Sequence, residues 1–232
     1  MEVYGTDFGV EYKDDNSPLT RADTLSNGII EKALGELYPD IPIISEEGKD
    51  IPYETRRGWD TFWLVDPLDG TKEFVKRTGE FTVNVALVKG RESVWGFIYA
   101  PALGTLYYAV QGNGAWKESG GGAPTRINTR RKPDNEGYTV VQSRSHPSAK
   151  LTEYLSTLDV KGSVYAGSSL KFCMVAEGLA DLYPRMGPTW EWDTAAGQAI
   201  VCEAGGKVLG PDGTPLMYNK PTLLNEGFIV HA

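Results

Sequence analysis

FWLVDPLDGTKEF (residues 62–74) runs from a wholly apolar segment straight into two carboxylates. Residues 62–65 have the character of a buried strand. Asp66 and Asp69 follow with Pro67 between them; Asp-Pro then Asp-Gly is strong turn punctuation, so both acids are expected where a strand leaves the core. Burying one carboxylate is costly. Burying two side by side is worse, because like charges raise each other's pKa. A bound cation removes that penalty, and oxygen donors suit magnesium, which takes a few carboxylates together with waters and substrate phosphate. Gly70 and Thr71 stand where a helix can begin with free N–H groups facing an anion. Metal and phosphate are expected to meet at this corner.

A chain of 232 residues can bury a good core, and 41% hydrophobic with 11% aromatic residues is ordinary globular composition. The net charge of -8 argues against a nucleic acid polymer as partner, yet a small anionic ligand can still bind at a local metal. No apolar run approaches the ~20 residues of a transmembrane span, and MEVYGTDFGVEY lacks the basic and apolar regions of a signal peptide. Cys173 and Cys202 lie in apolar, helical-looking runs and read as two buried thiols rather than a disulfide. A cytoplasmic protein is expected.

Along the chain, DDNSPLTRAD (14–23) reads as loop, and a helix is expected over 24–38. IPIIS leads extended into Glu46 and Glu47. Segments 81–88, 94–99 and 105–110 have the spacing of an antiparallel meander. The glycines at 120–122 with TRINTRRKPDNEG mark an internal boundary, giving an N-terminal α+β lobe (about 1–125) and a C-terminal α/β lobe (about 126–232) of a single domain. Beyond it, strands at 138–143, 163–167 and 180–184 alternate with helices over 148–158, 168–177 and 194–203. GGKVLGPDGTPL closes as a hairpin. The architecture is layered α and β.

Asp23, the Glu46/Glu47 pair, Asp66/Asp69 and Asp193 each end a strand-like run or open a helix. Asp23 and Asp193 have a plainer reading as helix N-caps, and Glu46/Glu47 as a solvated turn. The acids behind the apolar strand are harder to explain that way. In GSSLKFC (167–173), serine hydroxyls open a helix with Lys171 one turn in, a possible anion cradle that is otherwise a capped helix with a surface lysine. Arg185 can clamp phosphate bidentately. His146, with no second histidine nearby, is a poor zinc ligand and better suited to hydrogen-bonding a ligand.

ISEEG, WLVDPLDGTKEF and WDTAAGQAIVCEAGG together resemble, in order and spacing, the lithium-sensitive, magnesium-dependent inositol monophosphatase-like superfamily. NSPLTRAD, GEFTVNVAL, SRSH, GSSLKFCMVAEGLADLYPR and GPTWEWDTAAG are similar to its 3'(2'),5'-bisphosphate nucleotidase branch, over nearly the whole chain from about Lys13. The resemblance implies alternating α-β-α-β-α layers of the sugar-phosphatase type and two or three Mg2+ ions. Glu46, Asp66 and the Leu68 carbonyl would hold one ion, and Asp66, Asp69 and Asp193 a second. Thr71, oriented by Asp23, would activate the attacking water, with the Gly70 and Thr71 N–H groups on the scissile phosphate. His146, Ser168, Lys171 and Arg185 would hold the rest of the nucleotide. The choice of Glu46 over Glu47 rests on the resemblance.

The implied reaction is hydrolysis of adenosine 3',5'-bisphosphate, or its 3'-phosphoadenylyl sulfate analogue, in clearing the by-product of sulfate activation. Rivals are an inositol phosphate or other small sugar-phosphate phosphatase, a non-catalytic nucleotide-binding sensor, and a structural domain whose acids only cap helices. One departure stands out: the resemblance calls for a longer amphipathic first helix than residues 1–15 provide. A homodimer or another element is expected to cover that gap.

Overall fold

The computed structural model describes residues 1–6, 10–12, 18–144 and 148–232. Its first half is built on a seven-stranded sheet. The strands Ile43–Ser45, Thr61–Asp69, Thr82–Lys89, Glu92–Ala100, Thr105–Val110, Ala115–Ser119 and Thr125–Ile127 lie side by side in chain order. All neighbours are antiparallel except the first pair. Thr82–Lys89 alternates buried and half-buried positions, as a pleated strand with one better covered face must. Residues 62–68 are buried without interruption, because that strand is covered on both faces.

Helix α1 (Arg21–Leu37) packs along Thr61–Asp69 on one face, where Tyr38, just past its end, sets its ring 5.4 Å from that of Trp63. The short helices α2 (Tyr53–Arg56) and α3 (Thr71–Val75) flank the same strand. After α4 (Ala149–Ser156) and α5 (Leu170–Ala176), helix α6 (Glu191–Glu203) lies across the middle strands of the large sheet. Contact there is close: a Cβ at Gly96 would stand 2.4 Å from the Ala196 carbonyl oxygen, so only glycine admits the helix. Phe62 and Leu64 face α6 within one buried apolar cluster that extends to Val208 and Val230.

Beyond α5 and α6 comes a five-stranded sheet in the order Val160–Ala166, Tyr138–Ser143, Leu182–Arg185, Phe228–His231, Lys207–Leu209. The first three strands are parallel, linked through α4 and α5 as crossovers, and the last two run antiparallel to their neighbours. Helices and sheets therefore alternate in layers, the architecture expected from the resemblance. No helix among the described residues is long and apolar enough to cross a membrane.

Several local readings need correction. α1 begins at Arg21 rather than Thr24, because the Thr20 hydroxyl accepts from the Ala22 amide and caps it. Asp23 and Asp193 are not N-caps but third-position acids, each accepting from the backbone N–H three residues earlier. The glycines at 120–122 form a tight turn inside the sheet, whose last strand is Thr125–Ile127. Cys173 is buried but Cys202 is exposed, and both are free thiols. Tyr4, in a short 3-10 turn at the N-terminus, packs 5.0 Å from the rings of both Phe74 and Phe81.

Candidate active site

The acid corner is made by a defect in the sheet. Asp66 pairs with Asn84 and Asp69 with Thr82, so the acid strand carries one residue more than its partner between these pairs. A regular strand would send residues three apart to opposite faces; the bulge restores the phase and turns both carboxylates the same way. The expected turn thus comes later than the sequence punctuation implies: the strand continues through Asp69, and the chain breaks at Gly70, in the left-handed region at φ 90°. A Cβ at Gly70 would lie 3.1 Å from the Ser168 Cβ and 3.3 Å from the Glu80 carbonyl oxygen. Glycine is therefore required by backbone and by space.

Thr71 opens α3 behind this turn. Its hydroxyl lies 3.2 Å from Asp23 Oδ1 and 3.3 Å from the Leu68 carbonyl oxygen. Asp23 is held by its other oxygen, which accepts from the Thr20 amide at 2.8 Å and the Thr20 hydroxyl at 2.7 Å. The Ser26 hydroxyl donates to the Pro67 carbonyl at 2.8 Å, pinning the first turns of α1 to the acid strand. On the other side the Glu46 amide donates to the Val65 carbonyl at 3.1 Å, which places Glu46 beside Asp66.

Glu46, Asp66, Asp69 and Asp193 line one cavity of about 390 Å³, along with Leu68, Gly70, Thr71, Ser168, Lys171 and Arg185. Their proximity is felt electrostatically. Burial, then the charges of Glu46, Asp69 and Asp193, push the Asp66 carboxyl well above the usual carboxylate range. Burial and the Asp69 charge do the same to Asp193. Glu47 is not among the residues lining the cavity. Among the described residues, no three His, Cys, Asp or Glu side chains are gathered tightly enough to grip an ion as they stand. The all-oxygen donor set and the buried like charges fit magnesium.

The same cavity also carries the cationic side chains of Lys171 and Arg185. Lys171 is buried, donates to the Ser168 carbonyl at 2.6 Å and sits 5.4 Å above the Tyr183 ring. Burial brings its pKa down to about 8, opposed by the Asp69 charge. Arg185 donates to the Pro188 carbonyl through Nη2 at 3.2 Å, while its buried Nε has no partner. An orphaned guanidinium N–H on a cavity wall suits an anion. Ser168 holds φ 45°, a backbone conformation uncommon for serine. His146 lies outside the described residues.

Ser169 was not singled out from the sequence, although it is the second of two adjacent serines at a helix start. Its hydroxyl does not cap α5; it lies 2.8 Å from Asp69 Oδ2 and accepts from the Asn84 amide at 2.9 Å. It ties the acid strand to the second half of the chain.

The chain matches the inositol monophosphatase family over residues 1–231. A 3'(2'),5'-bisphosphate nucleotidase CysQ from Salmonella typhimurium is 50% identical over 234 residues, covering 99% of this chain and 92% of the relative. An Escherichia coli protein of the same name is 49% identical with the same coverage. The crystal structure of CysQ from Bacteroides thetaiotaomicron, described as a bacterial member of the inositol monophosphatase family, matches with a TM-score of 0.87 at 44% identity, covering 100% of this chain and 90% of that one. Layered fold, acid cavity and these likenesses agree, and the chain belongs to the inositol monophosphatase family.

Proposed function

We infer that this chain is a magnesium-dependent phosphomonoesterase that removes the 3'-phosphate of adenosine 3',5'-bisphosphate, giving AMP and phosphate. One observation carries the reading: acids from three separate segments share a cavity with Lys171 and Arg185. The names of the curated relatives supply the substrate class. Glu46, Asp66 and the Leu68 carbonyl would hold one magnesium ion, and Asp66, Asp69 and Asp193 a second. When bound, the ions supply Lewis acidity that activates water and neutralises phosphoryl charge.

The chain's own atoms do the rest. With its proton directed at Asp23 Oδ1, the Thr71 hydroxyl turns its lone pairs outward, where they accept from a water and aim its oxygen at phosphorus. As that oxygen bonds to phosphorus and the bond from phosphorus to the 3'-oxygen breaks, its proton passes to Thr71 Oγ1 and the threonine proton to Asp23, while the leaving 3'-oxygen takes a proton from solvent water and Asp23 returns its own to solvent. The Gly70 and Thr71 N–H groups receive the scissile phosphate. Lys171, Arg185, Ser168 and His146 hold the sugar and the distal phosphate, the two cations by charge-assisted hydrogen bonds. Leu25, Ile29 and Leu37 are exposed on α1 and support a second copy of the chain as partner, which sedimentation velocity tests.

Phosphate release from adenosine 3',5'-bisphosphate and inositol 1-phosphate, with and without magnesium, tests the function. Turnover should require magnesium, favour the bisphosphate and be inhibited by lithium. A higher kcat/KM for inositol phosphate would move the chain to the sugar-phosphatase reading, and tight binding without turnover to the sensor reading.

A further inference from the structure

The cavity carries an aromatic surface that the proton relay and the acids do not use. Trp190 lines the cavity and is 43% exposed, whereas its other large apolar residues, Leu68, Phe172, Tyr183 and Phe228, are buried. The Trp190 indole lies nearly parallel to that of Trp192, with centroids 5.3 Å apart and planes 15° apart. Trp192 in turn packs against the main apolar cluster, so the outer ring rests on an anchored one. The platform is also fixed relative to the acids, because the Trp190 amide donates to Asp193 Oδ2 at 2.7 Å. A large ring left in water beside a charged cavity gains stability when a flat apolar group covers it.

We propose that Trp190 is a specificity-determining residue whose indole stacks on the base of the nucleotide substrate. This rests on the functional reading above and extends it to the base. Every base offers a π-face, so stacking selects nucleotides over sugar phosphates without strongly choosing among bases. The Asp193 contact is made by the backbone amide, so replacing the side chain leaves that acid in place.

The test compares adenosine 3',5'-bisphosphate with its abasic analogue, methyl ribofuranoside 3,5-bisphosphate, in the parent chain and in Trp190→Ala, Trp190→Leu and Trp190→Phe. Trp190→Ala and Trp190→Leu should raise KM for the nucleotide about tenfold, with kcat within about twofold and the abasic KM unchanged. Trp190→Phe, which keeps a ring, should stay within about threefold of the parent. Equal KM changes on both substrates, no change on either, or a leucine variant as good as phenylalanine would overturn the assignment. So would a parent chain that treats the two substrates alike. A parent that hydrolyses neither substrate would instead refute the functional reading itself, and the platform with it.

Discussion

Two of the almost fully buried aspartates, Asp181 and Asp66, are driven in opposite directions. Asp181 is 3% exposed and Asp66 1% exposed. Burial raises the pKa of both, but at Asp181 Arg130 grips the carboxylate with Nε at 2.7 Å and Nη2 at 2.8 Å, and the Thr139 amide donates at 2.6 Å. Those donors hold its carboxyl below the ordinary range. Asp66 accepts from the Leu68 amide at 3.0 Å, yet Glu46, Asp69 and Asp193 press it upward. Asp181 has its cation from within the chain, whereas on the reading proposed above Asp66 takes one from solution, so that the first serves stability and the second chemistry.

The comparison breaks most easily at the acid corner. If Asp66 and Asp69 hold magnesium as proposed, Asp66→Asn or Asp69→Asn should lower kcat/KM by roughly 1000-fold, since several kcal/mol of transition-state stabilisation go with a metal ligand. The thermal midpoint of the metal-free Asp66→Asn variant should not fall. Its raised pKa means that Asp66 favours folding below the ordinary carboxylate pKa, and that this contribution is lost as pH rises through the raised value. A variant that keeps its activity, or unfolds, would erase the distinction.

Asp181→Asn should do the reverse. It should cost about 2 kcal/mol, because buried donors lose a charged acceptor, and lower the midpoint by roughly 4–8 °C while kcat stays near the parent value. The depressed pKa of Asp181 gives stability present above the ordinary carboxylate pKa and lost as pH falls through the depressed value. The variant should therefore show a shallower acid-side loss of stability in a calorimetric pH series.

Magnesium sharpens the contrast. At about 100 times its Kd it should stabilise the parent by about 2.7 kcal/mol and Asp181→Asn by the same amount, while leaving Asp69→Asn nearly unmoved. Equal magnesium shifts in all three chains would mean that the ion binds elsewhere.

The smallest effect expected is on the cationic side chains of the cavity. Lys171 is charged below a pKa of about 8 and neutral above it, so KM for the bisphosphate should rise severalfold as pH passes through 8. Lys171→Ala should raise KM more for the bisphosphate than for a sugar monophosphate and remove that pH step. A step that persists in the variant would assign it to another group.

The corner at residues 62–74 was legible from the chain because an apolar run ending in paired acids has few other meanings. Tyr138–Ser143 was legible at both ends for a related reason: β-branched residues bounded by glycine and serine leave little choice. The polar stretch before α1 reads as loop, yet Thr20 caps the helix and is buried with Asp23 in a hydrogen-bonded knot with Thr71; the residues alone suggested a cap at Asp23, and only the resemblance joined it to Thr71. Ser169 and Trp190 were passed over because a serine near a helix start and an exposed tryptophan carry no signal until something across the cavity gives them one.

Local order, residue type and spacing were enough to mark Asp66 and Asp69 as acids at the edge of the core, because hydrophobic pattern and the cost of buried charge act along the chain. Whether those carboxylates face one another depended on long-range packing. A one-residue bulge against Thr82–Lys89 turns Asp66 and Asp69 to one side. The seating of α6 across the large sheet then carries Asp193 to meet them, through contacts between residues far apart in sequence.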